Sequence, residues 1–360
     1  MIQVAVTVTQ CWHRVPGGTA RSVLDLIDAV AATGRASYVG VAPRWGTPTP
    51  SYEPTVSVRR ALLPLPVLYD SWHRLRWPAI DRVVEPVDLV HVSAPVVPPV
   101  RRTPMVATVH DLVPVTHPEL LTVRGARLLR RGLELIRDEA AVVMVPSQVV
   151  ADDCRRFGID DDRIRVIPWG VSGGVPEPSA LERVRHQYSL VGDYVLFVGT
   201  VEPRKNLQRL VSAVERLGRS DLTLVVVGPR GWGEVPVETS AKVVFTGHVP
   251  SDDLGPLMAG AAAFCFPSLA EGFGLPVLEA LASGAAVLTS DGTACAEVAG
   301  DAAVLVDPTD VAAIAAGLER VLGDVEFAAS LRALGPERAG TFNWSETARA
   351  TISVYEEVAA

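Results

Sequence analysis

Lysine is nearly absent from these 360 residues: only Lys205 and Lys242 occur, and arginine supplies almost all of the basic charge. A general compositional bias is enough to explain the arginine, yet it draws attention to the lysine that directly follows Arg204. Basic charge is itself in deficit, with a net charge of −8 and an isoelectric point near 5.5. Nucleic acid is therefore excluded as a main partner, because a phosphate backbone needs clustered basic surface, and any anionic ligand has to be met locally. Cysteine is scarce as well. Cys11, Cys154, Cys265 and Cys295 are far apart and form no Cys-x-x-Cys pair, so a zinc site is not expected and all four read as reduced, mostly buried thiols. No uncharged apolar run approaches the roughly 20 residues of a spanning helix. The start, Met1 to Val8, lacks a basic leader and a cleavage-site pattern, so a cytoplasmic protein is expected, one still able to touch the inner membrane surface. Short-period repeats and low-complexity tracts are missing too.

What the chain does have is a long series of short apolar runs separated by helical patterns. In the first half these include Val4 to Val8, Asp88 to Val92, Met105 to Val109, Ala141 to Val145 and Ile164 to Ile167. The second half continues with Tyr194 to Val198, Thr223 to Val227, Val243 to Phe245, Ala263 to Phe266, Ala286 to Thr289 and Ala303 to Val306. Runs without polar alternation suit parallel strands buried on both faces, and alternation with helices predicts doubly wound α/β domains. The length accommodates about two of them. Glycine and proline gather in Gly170 to Ser179, which places a linker at 171–180, between a domain at 1–170 and a second at 181–344. Ser345 is suited to cap a final helix reaching Val358. In open parallel sheets ligands collect beyond the carboxyl ends of the strands, so two such sheets facing each other would make an interdomain cleft.

The most informative segment is Glu271-Gly-Phe-Gly-Leu-Pro-Val-Leu-Glu279. Gly272 and Gly274 let a backbone approach a ligand closely, and Pro276 suits a first helical turn, where a missing amide hydrogen costs little. The unpaired amides and positive end of the helix that follows favour a diphosphate, over the turn Gly272, Phe273, Gly274 and Leu275. Glu279, about one turn on, is placed to accept hydrogen bonds from ribose hydroxyls, which leaves Glu271 for a sugar. Upstream, Glu202-Pro-Arg204-Lys205-Asn206 follows a strand and precedes an amphipathic helix. Two adjacent cations there can neutralise the charge that grows on a departing nucleoside diphosphate, and at a helix start they are unfavourable unless an anion joins them.

With the downstream Gly284-Ala-Ala-Val and Glu297-Val-Ala-Gly-Asp runs, these motifs resemble the retaining GT-B glycosyltransferases that carry the Glu-x7-Glu motif, glycosyltransferase family 4 or group 1. The resemblance covers nearly the whole chain and is densest after Thr200. It implies an α/β GT-B fold, two doubly wound Rossmann-like domains facing an interdomain cleft, with the helix at 345–360 crossing back to the first domain. It implies a retaining hexosyltransferase that moves a sugar from a nucleotide diphosphate sugar to an acceptor hydroxyl of a glycan, glycolipid or small molecule, with neither metal nor other cofactor. The implied catalytic residues are His110, Arg204, Lys205 and Glu271. Gly17 and Gly18, in the Pro16-Gly17-Gly18 turn expected before a helix at Thr19, are placed at donor phosphate or acceptor. Gly228 in Gly228-Pro-Arg-Gly-Trp232, and Gly247, His248 and Val249, join Gly272 to Leu275 and Glu279 in the donor pocket. His110, after a buried strand and beside Asp111, would position a sugar or acceptor hydroxyl. Similarity in His110-Asp-Leu-Val-Pro and Gly228-Pro-Arg-Gly-Trp leans toward GDP-mannose. A UDP-sugar transferase, a sugar phosphorylase or epimerase on the same architecture, and a catalytically silent nucleotide-binding partner stand as alternatives. Cys295 stands where proline is common, a departure touching a local helix start.

Two kinds of charged segment lie outside these motifs. Asp160-Asp161-Asp162 and Asp252-Asp253 have the look of an Asp-x-Asp metal site, but one falls in a turn and the other at a helix start, so neither is assigned a metal. Thr122 to Arg137 alternates arginines with leucines, a pattern that fits either contact with anionic lipid or an ordinary surface helix packed on the sheet. Acceptor contacts are expected from loops such as Arg44 to Arg60 and Pro95 to Pro104.

Overall fold

The computed structural model describes residues 1–231 and 239–360, and Trp232 therefore lies outside the described residues. Two compact units divide the chain, one of Met1–Gly170 with Asn343–Ala360 and one of Val171–Phe342. Each has a parallel sheet with helical crossovers.

In the first unit the strands are β1 (Ile2–Thr7), β2 (Ala36–Ala42), β3 (Val58–Arg60), β4 (Leu89–Val92), β5 (Met105–Thr108), β6 (Val142–Val145) and β7 (Ile164–Val166). They lie in the order β3-β2-β1-β4-β5-β6-β7. The second unit continues with β8 (Tyr194–Val198), β9 (Thr223–Val227), β10 (Lys242–Gly247), β11 (Ala263–Phe266), β12 (Val287–Ser290) and β13 (Ala303–Val306), ordered β10-β9-β8-β11-β12-β13. Every pairing of these strands is parallel. The central strands β4, β5, β6, β8, β9, β11 and β12 are buried throughout, as continuous apolar runs covered on both faces demand. Edge strands differ: β3 ends on Arg59 and Arg60, and β10 exposes Lys242 and Phe245, the charged and half-open character that blunts a sheet edge.

The winding reverses between β1 and β4 in the first unit and between β8 and β11 in the second. Loops leaving neighbouring strands at such a reversal diverge to opposite faces and open a crevice at the carboxyl edge.

Several details depart from expectation. The helix Gly17–Ala32 takes Gly17 and Gly18 into its own first turn, with Pro16 before it, so these glycines open the helix rather than precede it. The span Arg44 to Arg60 is not all loop, since it holds a short 3-10 turn at Pro50–Tyr52 and strand β3. Helix Pro178–Gln187 begins inside the segment expected to be linker. The final helix is Trp344–Ala359, and its cap is Asn343, whose side chain accepts from the Glu346 amide at 2.9 Å; Ser345 only donates to that same Asn343 oxygen. All four cysteines are free and buried.

The final helix is fastened to the first sheet by a buried polar chain. The hydroxyls of Tyr38 and Tyr355 lie 2.9 Å apart, Tyr355 reaches His91 Nδ1 at 2.8 Å, and His91 Nε2 meets Thr108 Oγ1 at 2.8 Å. At the other end of the helix, Gly170 is crossed so closely that a Cβ there would lie 2.4 Å from the Trp344 nitrogen.

Candidate active site

The second unit gathers its charged motif residues at the β8–β11 reversal. Gly199 to Lys205 leaves β8, with Pro203–Lys205 forming one 3-10 turn; Asn206 adopts a left-handed conformation (φ 62°) and starts the helix Leu207–Arg216. Pro267 to Gly274 leaves β11. The two loops are joined by Asn206, whose Nδ2 donates to the carbonyls of Pro267 at 2.9 Å and Pro308 at 2.6 Å, and by Ser268, whose Oγ donates to the Arg204 carbonyl at 3.1 Å.

Glu271 lies at the centre of this junction. Its Oε1 accepts from Lys205 Nζ at 2.6 Å and from Ser268 Oγ at 2.6 Å, while Oε2 pairs with Arg204 Nη1 at 2.9 Å. The side chain is only 9% exposed. Burial alone would raise its pKa, but Arg204, Lys205 and the hydrogen bonds from Lys205 and Ser268 outweigh that and hold it at about 2. Arg204 also pairs with buried Glu202 at 3.0 Å and donates to the Ala270 carbonyl at 3.0 Å, and the Lys205 ammonium lies 4.8 Å from the centre of the Phe266 ring. The anion that two cations at a helix start require is thus already present, and it is Glu271. That carboxylate, assigned from the sequence to a sugar, also positions both cations.

The turn after Glu271 is built for close approach. Gly274 has φ 101° and leads into the helix Leu275–Ala282, with Pro276 in its first turn. A Cβ at Gly274 would lie 2.8 Å from Cys295 Sγ, so the thiol lines the underside of the turn. The Cys295 amide donates to the Thr293 side chain that caps the helix Ala294–Ala299, a bond a proline there would forfeit. Phe273 turns inward, edge-on to Phe342 at 5.8 Å. Leu275 and Glu279 are half-buried one helical turn apart.

Gly228 serves the scaffold: with φ 137°, a Cβ would lie 2.2 Å from the Gly199 carbonyl oxygen, and its amide donates to Gly247 at 2.8 Å. Gly247, at the end of β10, has φ 70° and open space about it; His248 is exposed and Val249 buried. Asp253 is engaged elsewhere, accepting from Arg183, Gln187 and Tyr188. Asp161 accepts from Arg155 at 2.6 Å.

In the first unit, the carboxyl ends of β1, β4 and β5 carry Gln10, Ser93 and His110. Ser93 organises them. Gln10 Nε2 donates to its hydroxyl at 2.9 Å, and His110 Nε2 donates to its carbonyl at 2.8 Å. The proton on Nε2 leaves Nδ1 as an acceptor, and burial lowers the pKa, against the Ser93 bond and Asp111, keeping the imidazole neutral. Trp169 packs along the ring at 5.6 Å and Trp344 packs on Trp169 at 6.1 Å. Asp111 turns away from the histidine, accepting from the Val113 amide at 3.0 Å. Gly17 has φ 67° and open space where a side chain would be.

Sequence reasoning did not find Ser93 and Trp169 in these roles. A serine after a strand and a tryptophan before a glycine carry no spacing that sets them apart.

Residues 192–324 match the family described as glycosyl transferases group 1, and residues 16–172 match glycosyltransferase family 4. An O-antigen chain mannosyltransferase B of Escherichia coli is 34% identical over 265 residues, covering 70% of each chain. The chain belongs to the family 4, group 1 glycosyltransferases. It is thus a hexosyltransferase. The serotype-specific mannosyltransferase WbdA of Escherichia coli is 31% identical over 69% of this chain; the match spans only 32% of that longer protein. An MMP alpha-(1->4)-mannosyltransferase of Mycolicibacterium hassiacum is 31% identical over 71% of this chain and 66% of its own. Among solved structures, Anabaena Alr3699/HepE in complex with UDP and glucose superimposes with a TM-score of 0.78 at 17% identity, covering 99% of this chain and all of that one. WaaG, a glycosyltransferase involved in lipopolysaccharide biosynthesis, gives 0.74 at 19% identity, covering 98% and 99%. These neighbours support the GT-B fold. No helix of the described residues is long and apolar enough to cross a membrane.

Proposed function

We propose that this glycosyltransferase moves mannose from GDP-mannose to an acceptor hydroxyl of a glycan or glycolipid, with retention of anomeric configuration. The observation that carries the transfer chemistry is the meeting of Arg204 and Lys205 on Glu271 at the β8–β11 reversal. The mannosyltransferase relatives favour the sugar.

In this reading the diphosphate rests on the amides of Gly272 to Leu275 at the mouth of the helix Leu275–Ala282, where the helix end favours negative charge. Glu279 accepts from the ribose hydroxyls. Arg204 and Lys205, already held in place by Glu271, receive the charge that develops on the leaving diphosphate, so little reorganisation is needed at the moment of bond breaking. The acceptor hydroxyl attacks the anomeric carbon on the face from which the diphosphate departs, and the leaving phosphate oxygen takes the acceptor proton. No protein nucleophile and no metal enters this sequence. Neutral His110 offers Nδ1 to a hydroxyl, held in orientation by Ser93 and Trp169.

A thermal-shift panel of GDP, UDP and ADP with their sugars tests the donor, and GDP and GDP-mannose are expected to give the largest shifts. A larger shift with UDP-sugars transfers the assignment to the UDP-dependent class. The anomeric proton coupling of the first-formed product tests retention, and an inverted product overturns the mechanism. Activity abolished by a chelator and restored by manganese refutes metal independence.

A further inference from the structure

The first unit carries a second charged cluster, none of whose residues belongs to the site described above. Helix Val123–Glu139 and the turn Ser71–Leu75 wall a cavity of about 610 Å³ lined by Arg74, Arg124, Arg127 and Arg131, with Asp70 as its one carboxylate. Four guanidinium groups against one carboxylate in a single concavity is an unusual investment for a chain of net charge −8. Arg124 is paired with Asp70 at 3.1 Å and Arg131 with Glu134 at 3.2 Å. Among the described residues, Arg74 and Arg127 have no ion-pair partner. His73, also on the wall, adds no charge: burial, then Arg76 and Arg131, push it down to about 4, and its Nε2 accepts from the Val97 amide at 3.0 Å.

The helix packs on the core of the first unit through Leu133, Leu135 and Ile136, as an ordinary surface helix does, and leaves Arg124, Arg127 and Arg131 exposed. These three share a concave wall with a fourth arginine from another segment, and concavity of this volume is the scale of a small ligand. With Arg124 on Asp70 and Arg131 on Glu134, two positive charges are left over, more than one carboxylate ligand would neutralise, whereas a phosphate presents two charges and several acceptor oxygens to forked guanidinium donors. Leu128 on the wall and Val123, 68% exposed, add an apolar margin. We propose that this cavity binds a phosphate group.

The test is calorimetric titration of the full chain with inorganic phosphate, alongside flotation with phosphatidylcholine vesicles with and without phosphatidic acid. Arg74→Gln and Arg127→Gln remove charge without stranding a carboxylate, and Arg130→Gln, on the same helix but outside the cavity, is the control. Each cavity variant is expected to weaken binding about tenfold, the loss of one charge-assisted hydrogen bond, with the control unchanged. Binding of inorganic phosphate assigns the site to a phosphate free in water; binding of the acidic vesicles alone assigns it to one borne by lipid. Wild-type protein that binds neither probe, or an Arg130→Gln variant as weak as Arg127→Gln, overturns the proposal. The thermal shift with GDP is expected to be the same in all three variants. Loss of that shift in the wild type counts against the donor reading and leaves the phosphate titration standing.

Discussion

Replacing Glu271 with glutamine removes the charge on which Arg204 and Lys205 converge while keeping the shape of the side chain. The carboxyl is lowered from 4.5 to about 2 in the folded chain, which corresponds to about 3 kcal/mol of stabilisation at neutral pH. Because the pKa is lower in the folded state, that stabilisation is complete above the unfolded value and is lost as pH falls through the folded one. The gap between wild type and Glu271→Gln is therefore expected to be about 3 kcal/mol at pH 7 and about 1.5 kcal/mol at pH 3. The side chain is 9% exposed, so solvent screening takes little from this figure. Urea unfolding of both proteins from pH 7 down to pH 3, followed by tryptophan fluorescence and circular dichroism, measures the gap. A difference below 1 kcal/mol at pH 7, or one that does not shrink with acid, refutes the argument that the two cations hold this carboxylate ionised.

Lys205→Ala is expected to cut turnover about 100-fold, the typical loss of one preorganised donor to a developing anion, and to lower stability as well because Glu271 loses its 2.6 Å partner; steady-state rates near wild type would remove Lys205 from the site. Lys205→Arg keeps the charge and is expected to lose almost as much turnover, with restored rates counting against a requirement for the ammonium. Gly170→Ala drives a Cβ to 2.4 Å from the Trp344 backbone, and an overpacking loss of about 1–3 kcal/mol should appear as a lower urea midpoint; an unchanged midpoint refutes the close crossing. Tyr355→Phe strips the hydroxyl that links Tyr38 to His91 and is expected to cost about 1–3 kcal/mol, read as faster hydrogen exchange in the helix Trp344–Ala359.

The strands that could be read from the sequence are those whose residues are apolar on both faces. β8, β9, β11 and β13 run from Tyr194, Thr223, Ala263 and Ala303 as their hydrophobic stretches do. β2 was hidden because Ala36, Ser37 and Gly40 dilute its run, and Gly40 is small for a reason visible only in space: a Cβ there would meet Val8 at 3.1 Å and Val58 at 3.2 Å. β3 has three residues, two of them arginine, and nothing local distinguishes it from a loop. At the final helix, Asn343 and Ser345 are both good caps, and only the hydrogen bond to Glu346 decides between them. Among the site residues, glycines announced turns correctly but not what each turn is for. Gly274 opens a helix mouth, whereas Gly228 spares a collision with Gly199.

The pairing of Glu271 with Lys205 spans 66 residues in sequence, that with Arg204 one more, and both are produced by topology, since β8 and β11 become neighbours only where the winding reverses. What the sequence did contain was the electrostatic debt: two cations before a helix need an anion, and the fold supplies one from the loop that leaves the adjacent strand. Lys205 gives one of its three donors to Glu271 and rests its ammonium over Phe266, so a compact head with further donors is left at the carboxyl edge. Arg204 is engaged with Glu202, Glu271 and the Ala270 carbonyl, and its planar fork fixes the loop. The two neighbouring cations are therefore held differently: Arg204 by a guanidinium engaged with two carboxylates and a carbonyl, Lys205 by one ion pair with Glu271 and the face of Phe266.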